Sequence, residues 1–430
     1  MVFSLKEKTG TASVTGPKKK TITEATIPET VKREEDGKVF TVTEIAGDAF
    51  SGCKKLQTVK IGKKVKKIGD GAFSNCVKLK TVTGGAGVVT IGNEAFLSCS
   101  SLTKIKIGSK VKELGSGAFT YCTKLKTVSG GAGLVSIGNE AFLKCSALTK
   151  FAIGSKVTEI GSDAFAYCTK LKTVSGGAGL VNIGDEAFLK CSALTKITIG
   201  SKVKKLGNSV FAYCTKLQTV AGGAGLVSIG DEAFLKCSAL TEFTIGPKVT
   251  KVGNSVFANC AKLKKVTIGK KVKTLGSQAF DACSGLKTVS GGEGLVSIGK
   301  GAFQDCRSLT EITIGKNVTE IGGNAFNGCG KMKKITIVTT KLKSIGKLAF
   351  KSIYEKAEFE CAKKKIKKYK EMVLDAGAPK TVKFPGEEPV PTPTPTPAPT
   401  PVPTYTPQPT QRPTTQPTQT PKPTHTIMEL

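Results

Sequence analysis

The chain has no tryptophan, four methionines and a single histidine, His425, among its 430 residues. Aromatic side chains make up only 6%. Serine or cysteine nucleophiles that need a histidine base, and metal sites built on imidazole, are therefore nearly excluded. Long apolar runs are also missing, and nothing approaches the roughly 18 residues that a membrane-spanning helix requires. The opening MVFSLKEKTG is too polar to act as the apolar region of a signal peptide. That leaves a cytoplasmic location or a leader that precedes this sequence. Acids are scarce: 32 Asp and Glu against 65 Lys and Arg give a net charge of +33. A charge of that size favours anionic partners and opposes self-association.

What the chain has in abundance is repetition. Phe119 recurs at steps of 23 residues as Phe50, Phe73, Phe96, Phe142, Phe165, Phe188, Phe211, Phe234, Phe257, Phe280, Phe303 and Phe326, then as Phe350 after one inserted residue. A cysteine follows three places after each, from Cys53 to Cys329. Together with Leu102-x-x-Ile105-x-Ile107, a fixed period within roughly 20–29 residues is the mark of a leucine-rich solenoid. The expected fold is a right-handed superhelix of about fourteen turns, with short parallel strands and helical turns. Alternating Ile105 and Ile107 suit a strand with one face in the core. The Ala118-Phe119-x-x-Cys122 segment reads as a helical turn that sets Phe119 and Cys122 on one side. Of fourteen cysteines, thirteen recur once per turn. Stacked copies point the same way, so they read as buried thiols rather than disulfides.

Four regions follow from the pattern. Residues 1–54 read as an N-terminal cap with a partial first repeat, since Val42, Ile45, Ala49 and Phe50 keep register with Val65, Ile68, Ala72 and Phe73. Residues 55–350 form the array, in two alternating kinds of repeat. The second kind places Gly130-Gly131-Ala132-Gly133 where the first has Ile107 and Gly108, and this loop recurs at Gly84, Gly176, Gly222 and Gly291. Residues 351–384 carry a Lys-rich helix candidate, with Ile366, Tyr369 and Val373 at helical spacing and Gly377 as its stop. Such a helix suits a C-terminal cap. From 385 to 430 a proline at nearly every second residue precludes helix and sheet and reads as a semi-rigid spacer.

Candidate chemistry is thin. Gly294-Leu295-Val296-Ser297-Ile298-Gly299-Lys300 has the spacing of a phosphate loop, but Gly301 stands where a hydroxyl should hold magnesium. The segment is more simply a repeat turn. The acids in Asn139-Glu140, Asp185-Glu186 and Asp231-Glu232 sit before the Phe, where they read as helix-capping groups rather than catalytic pairs. The informative feature is a lattice. Exposed pairs on successive strands read Lys80-Thr81, Thr103-Lys104, Lys126-Thr127, Thr149-Lys150, Lys172-Thr173 and Thr195-Lys196, with Lys264 and Lys265 further on. Like charges directly across strands repel, so the stagger keeps the face positive while spreading the lysines. Such a face suits extended acidic partners: acidic host proteins, glycans or wall polymers. The plainer alternative is that Lys and Thr only solubilise a long sheet. Specific nucleic-acid binding is disfavoured because the face has no aromatic stacking platform. No residue set suggests a cofactor, a metal or catalysis.

Ser308–Gly330, SLTEITIGKNVTEIGGNAFNGCG, resembles the BspA-type leucine-rich repeat, and the likeness runs from about Ile27 to Phe350. The resemblance implies a secreted or bacterial surface protein that adheres to host matrix or surface proteins, with no catalytic residues to carry over. A structural cell-wall protein without a specific ligand is the alternative. Glycine stands where that family commonly has proline after the strand, which is kept here only at Pro28 and Pro247.

Overall fold

The computed structural model describes residues 1–387. The Pro/Thr-rich segment from residue 388, with His425, lies outside the described residues.

The main chain winds as a parallel solenoid of about fourteen turns, and each turn contributes two strands. The longer has four residues, as in Lys104–Ile107; the shorter has two, as in Glu113–Leu114. Each pairs in parallel with its copy 23 residues on: Lys104 lies against Thr127, Ile107 against Gly130, and Glu113 against Ser136. The inserted residue near the end changes the offset without breaking the ladder, so that Glu320 pairs with Ser344. Alternation then sorts the side chains. Ile105 and Ile107 enter one continuous core, while Lys104 and Lys106 stay in solvent.

The two walls differ. From Lys67–Ile68 to Ser344–Ile345 the short strands form one unbroken sheet. The long strands break into five groups, and the breaks follow the double-glycine repeats at Thr81–Gly84, Thr127–Gly130, Thr219–Gly222 and Thr288–Gly291. After the fifth such repeat, a single residue pair survives, Thr173 with Lys196. The backbone explains the fault. Gly84 adopts φ +80°, and a Cβ there would lie 2.0 Å from the carbonyl oxygen of Ile61. Only glycine fits, and it bends the strand away from its successor.

The Ala-Phe-x-x-Cys segment sets Phe and Cys in the core as expected, but it does so without α-helix. It is a run of tight turns with two residues in the left-handed region, Gly117 (φ +64°) and Tyr121 (φ +60°) in one repeat, Glu140 (φ +55°) and Lys144 (φ +57°) in the next. Amide N–H groups alternate in direction. Those of Ala118 and Cys122 donate within the turn, to Gly115 and Phe119, whereas those of Phe119 and Tyr121 donate to Ala141 and Leu143 of the following turn at 2.8 and 2.9 Å. A helix would keep all its bonds to itself; this backbone shares them and so fixes the register of its neighbour. Left-handed geometry costs each non-glycine residue on the order of 1 kcal/mol, and the inter-turn bonds offset that strain.

Inside, the repeated phenylalanines form one stack with ring centroids 5.2–5.5 Å apart from Phe50 to Phe350. Beside it runs a column of thiols. Cys122 Sγ donates to the carbonyl of Phe96 at 3.2 Å, and the same bond recurs in turns from Cys76 to Cys329. All thirteen array cysteines are free and buried. Both ends are closed by non-repeating structure. Val2–Lys6 and Thr11–Gly16 form an antiparallel hairpin whose second strand pairs in parallel with Val39–Ile45. At the other end the helix Ile366–Asp375 buries Ile366, Tyr369 and Val373. The Tyr369 hydroxyl donates to the Thr339 carbonyl at 3.0 Å, and Gly377 leaves the helix at φ +84°.

Removing one ring from the stack tests how far it holds the array. Phe188→Ala should cost about 3–5 kcal/mol, read as a lower urea midpoint. A value under about 1 kcal/mol would mean that the column contributes only its area.

Candidate functional site

The register turns the lysine pattern into geometry. Lys104, Lys150, Lys196 and Lys265 open their strands and occupy one column, where Thr127, Thr173, Thr219 and Thr288 take the in-register positions in the following strands. Lys80, Lys126, Lys172 and Lys264 fall one residue earlier, in the adjacent column. All eight are exposed. Within a column the lysines from Lys104 to Lys196 recur every second turn, about 10 Å apart at about 4.8 Å per turn. Lys106 and Lys60 add a third column that the pairwise reading missed, because the residue between, Ile105 or Val59, is buried. Glu242, Glu311 and Glu358 replace lysine or threonine in the Lys104 column toward the C-terminus. There Lys334 Nζ meets Glu360 Oε1 at 2.8 Å. Among the described residues none of the eight lattice lysines forms an ion pair, since the ion pairs lie near the two ends. Their charge is left to solvent and to whatever binds.

A second cationic stripe runs along the turns. Tyr121, Lys144, Tyr167, Lys190, Tyr213 and Lys236 occupy successive left-handed positions two residues after each Phe. Lys144 Nζ lies 4.6 Å from the centroid of the Tyr121 ring and 5.7 Å from that of Tyr167. Lys190 repeats the arrangement between Tyr167 and Tyr213 at 4.7 and 5.6 Å. The signal was in the sequence, but the members stand 23 residues apart in alternating kinds of repeat. Neither kind shows the pair alone. Each tyrosine ring between two ammonium groups is held by cation–π attraction, so this stripe is satisfied internally where the lattice is not.

The family model for the BspA type leucine-rich repeat region, in six copies, matches residues 39–149, 135–264 and 252–375. This chain belongs to the BspA-type leucine-rich repeat family. Among solved structures it is similar to a leucine-rich repeat protein from Bacteroides ovatus, at 28% identity and TM-score 0.64, over 89% of this chain and 97% of that one. A leucine rich cell surface protein from Faecalibacterium prausnitzii matches at 23% identity and TM-score 0.49, over 90% and 93% of the two chains. The pneumococcal vaccine antigen PcpA matches at 22% identity and TM-score 0.48, over 87% and 92%. No curated protein matches in sequence.

The remaining candidates are absorbed by the BspA-type repeat itself. The acidic pairs cap no helix, because none is there. Asp185 Oδ1 accepts the Asn208 N–H at 2.8 Å, Asp231 Oδ1 accepts that of Asn254 at 2.8 Å, and Asn139 Oδ1 accepts that of Ser162 at 2.9 Å. These side chains bridge turns. The phosphate-loop-like segment runs through the strand Ser297–Ile298, and a Cβ on Gly294 would lie 2.2 Å from the Lys270 carbonyl. It leaves no cradle. Burial pushes the Cys122 thiol up to about 12, the opposite of what a nucleophile requires. Among the described residues no three His, Cys, Asp or Glu side chains are grouped to hold a metal, and no helix is long and apolar enough to cross a membrane.

The Asp163 carboxylate is under stress. Burial raises the Asp163 carboxyl to about 6, helped by the charges of Glu186, Glu140 and Asp185. Its folded pKa therefore lies above its unfolded value, near 3.9. Below about pH 4 the group is protonated in both states and neutral in effect. As pH rises through 6 it ionises among like charges and stability falls. Asp163→Asn should raise stability at pH 7–8 by up to about 1 kcal/mol after solvent screening, and leave it unchanged near pH 4. Thermal unfolding of both proteins across that range checks the sign; a gain independent of pH would remove the charge explanation.

Proposed function

We propose that this chain is a non-catalytic, adhesin-like binding protein, secreted or held at a bacterial surface, which engages extended acidic partners on its Lys/Thr strand face. The observation that carries the reading is the lattice of Lys80, Lys104, Lys126, Lys150, Lys172, Lys196, Lys264 and Lys265, exposed and free of ion pairs among the described residues. A net charge of +33 attracts any polyanion from a distance. The staggered columns add a pattern that an extended partner can follow. Acidic host matrix or surface proteins, acidic glycans and wall polymers all present charge in this way. The face lacks stacked aromatics, which disfavours single-stranded nucleic acid. Its periodicity also matches no catalytic requirement, since catalysis needs one unlike arrangement rather than many equal ones.

The test is binding of the full chain to immobilised matrix glycoproteins and to heparin-like polyanions, at low and at high salt. Saturable binding to a glycoprotein should persist at high salt and fall tenfold or more when the eight lattice lysines become glutamine. Tenfold corresponds to about 1.4 kcal/mol, modest for eight rim charges. Binding to polyanions alone, lost as salt rises, would reduce the lattice to generic electrostatics. No binding to either would favour a structural wall protein.

A further inference from the structure

The breaks in the long-strand wall leave clefts, and one of them has the makings of a ligand site. Glycine at the end of each double-glycine strand stands where the other repeats place a core isoleucine, so a side chain is missing from the wall. Between Thr81–Gly84 and Lys104–Ile107 the gap opens into a cleft of about 330 Å³ that reaches Ile61 and Phe96. Two residues set its lining apart from that of sister turns. Val88 lines it, where the other double-glycine turns have Leu134, Leu180, Leu226 and Leu295. Ile105 forms its far wall, where two equivalent turns carry Phe151 and Phe243.

Its mouth is polar and of one sign. Lys104 and Lys106 flank it, with Thr83, Thr127 and Ser129 hydroxyls. No main-chain hydrogen bond joins the two strands. In the intact pair one turn later, Gly131 N–H donates to Ile107 at 2.9 Å; the equivalent donor here, Gly108 N–H, has no main-chain partner and lines the cleft. Two related clefts differ in charge. One, of about 320 Å³, includes Glu242, and the other, of about 560 Å³, includes Glu293 beside Lys316. Only the first of the three presents ammonium groups without a carboxylate.

We propose that this cleft binds a medium-chain carboxylic acid. The apolar tail fills the space that glycine leaves among Ile61, Val88 and Ile105, and the carboxylate sits at the mouth between Lys104, Lys106 and the Gly108 N–H. An apolar pocket of about 300 Å³ or more with a few convergent polar groups is the usual form of a small-molecule site. A free N–H beside two cations is a strong carboxylate donor set. The site is separate from polymer binding by the lattice, although Lys104 belongs to both.

Titration of the full chain with octanoate, followed by calorimetry, tests this. The expected result is saturable binding of one equivalent, about tenfold weaker for octanol and about tenfold weaker for Lys106→Gln. Lys104→Glu should abolish it, and because glutamate already stands in the same column at Glu242 and Glu311, thermal unfolding should show the fold retained. Should that variant not fold, Lys104→Gln alone should weaken binding about tenfold. Absence of saturable octanoate binding, or binding unchanged in Lys104→Glu, would overturn the proposal.

Discussion

Everything in this molecule depends on one requirement: each turn must set its atoms directly above those of the last. The main chain enforces this twice per turn, through strand ladders and through turn amides that donate to the following turn. The side chains follow. Phe119 stacks on Phe96 and Phe142 at 5.2 and 5.4 Å, Cys122 reaches back to the Phe96 carbonyl, and Asn and Asp side chains bridge neighbouring turns. Small side chains at the cysteine position leave room for the ring column. A thiol adds a weak donor to a carbonyl that already accepts one amide, Cys99 N–H at 3.2 Å.

The same requirement shapes the surface. In a strict repeat any exposed residue becomes a column, and a column of lysines would repel itself at every turn. Alternating kinds of repeat resolve this, since Lys and Thr exchange places from one strand to the next. Alternation carries a structural cost. The double-glycine turns give up a core isoleucine and interrupt the long-strand wall, while the short-strand wall runs on unbroken. Exposed lysines and clefts coincide on the interrupted wall.

Much of this was readable from the residues. Phe and Cys spacing located the core, alternating Ile105 and Ile107 located the strands, and Ile366, Tyr369 and Val373 located the helix that covers the last turn. The lattice lysines could be placed on one exposed face because strand register follows from the period. What stayed hidden depends on backbone direction. Lys144 and Tyr121 are not residues that advertise left-handed geometry, and a helical turn was the natural reading of Ala-Phe-x-x-Cys. Asp185 looks like a helix cap in sequence, because its true partner, the Asn208 amide, lies a whole turn away. The Tyr/Lys stripe and the cleft beside Gly84 escaped for a related reason. Each is built across repeats, and a residue-by-residue comparison within one repeat has no place for it. The N-terminal hairpin lies outside the period altogether.

The central claim is that position, not amount, of charge directs binding. The direct measurement compares the parent with a variant of equal net charge in which Lys104, Lys126 and Lys150 become glutamine while Thr90, Asn182 and Thr274, exposed on the short-strand wall, become lysine. Affinity for an acidic matrix glycoprotein, taken at a salt concentration that screens beyond about 8 Å, should fall about tenfold. An unchanged affinity would contradict the account, because the lattice would then be no more than a reservoir of charge.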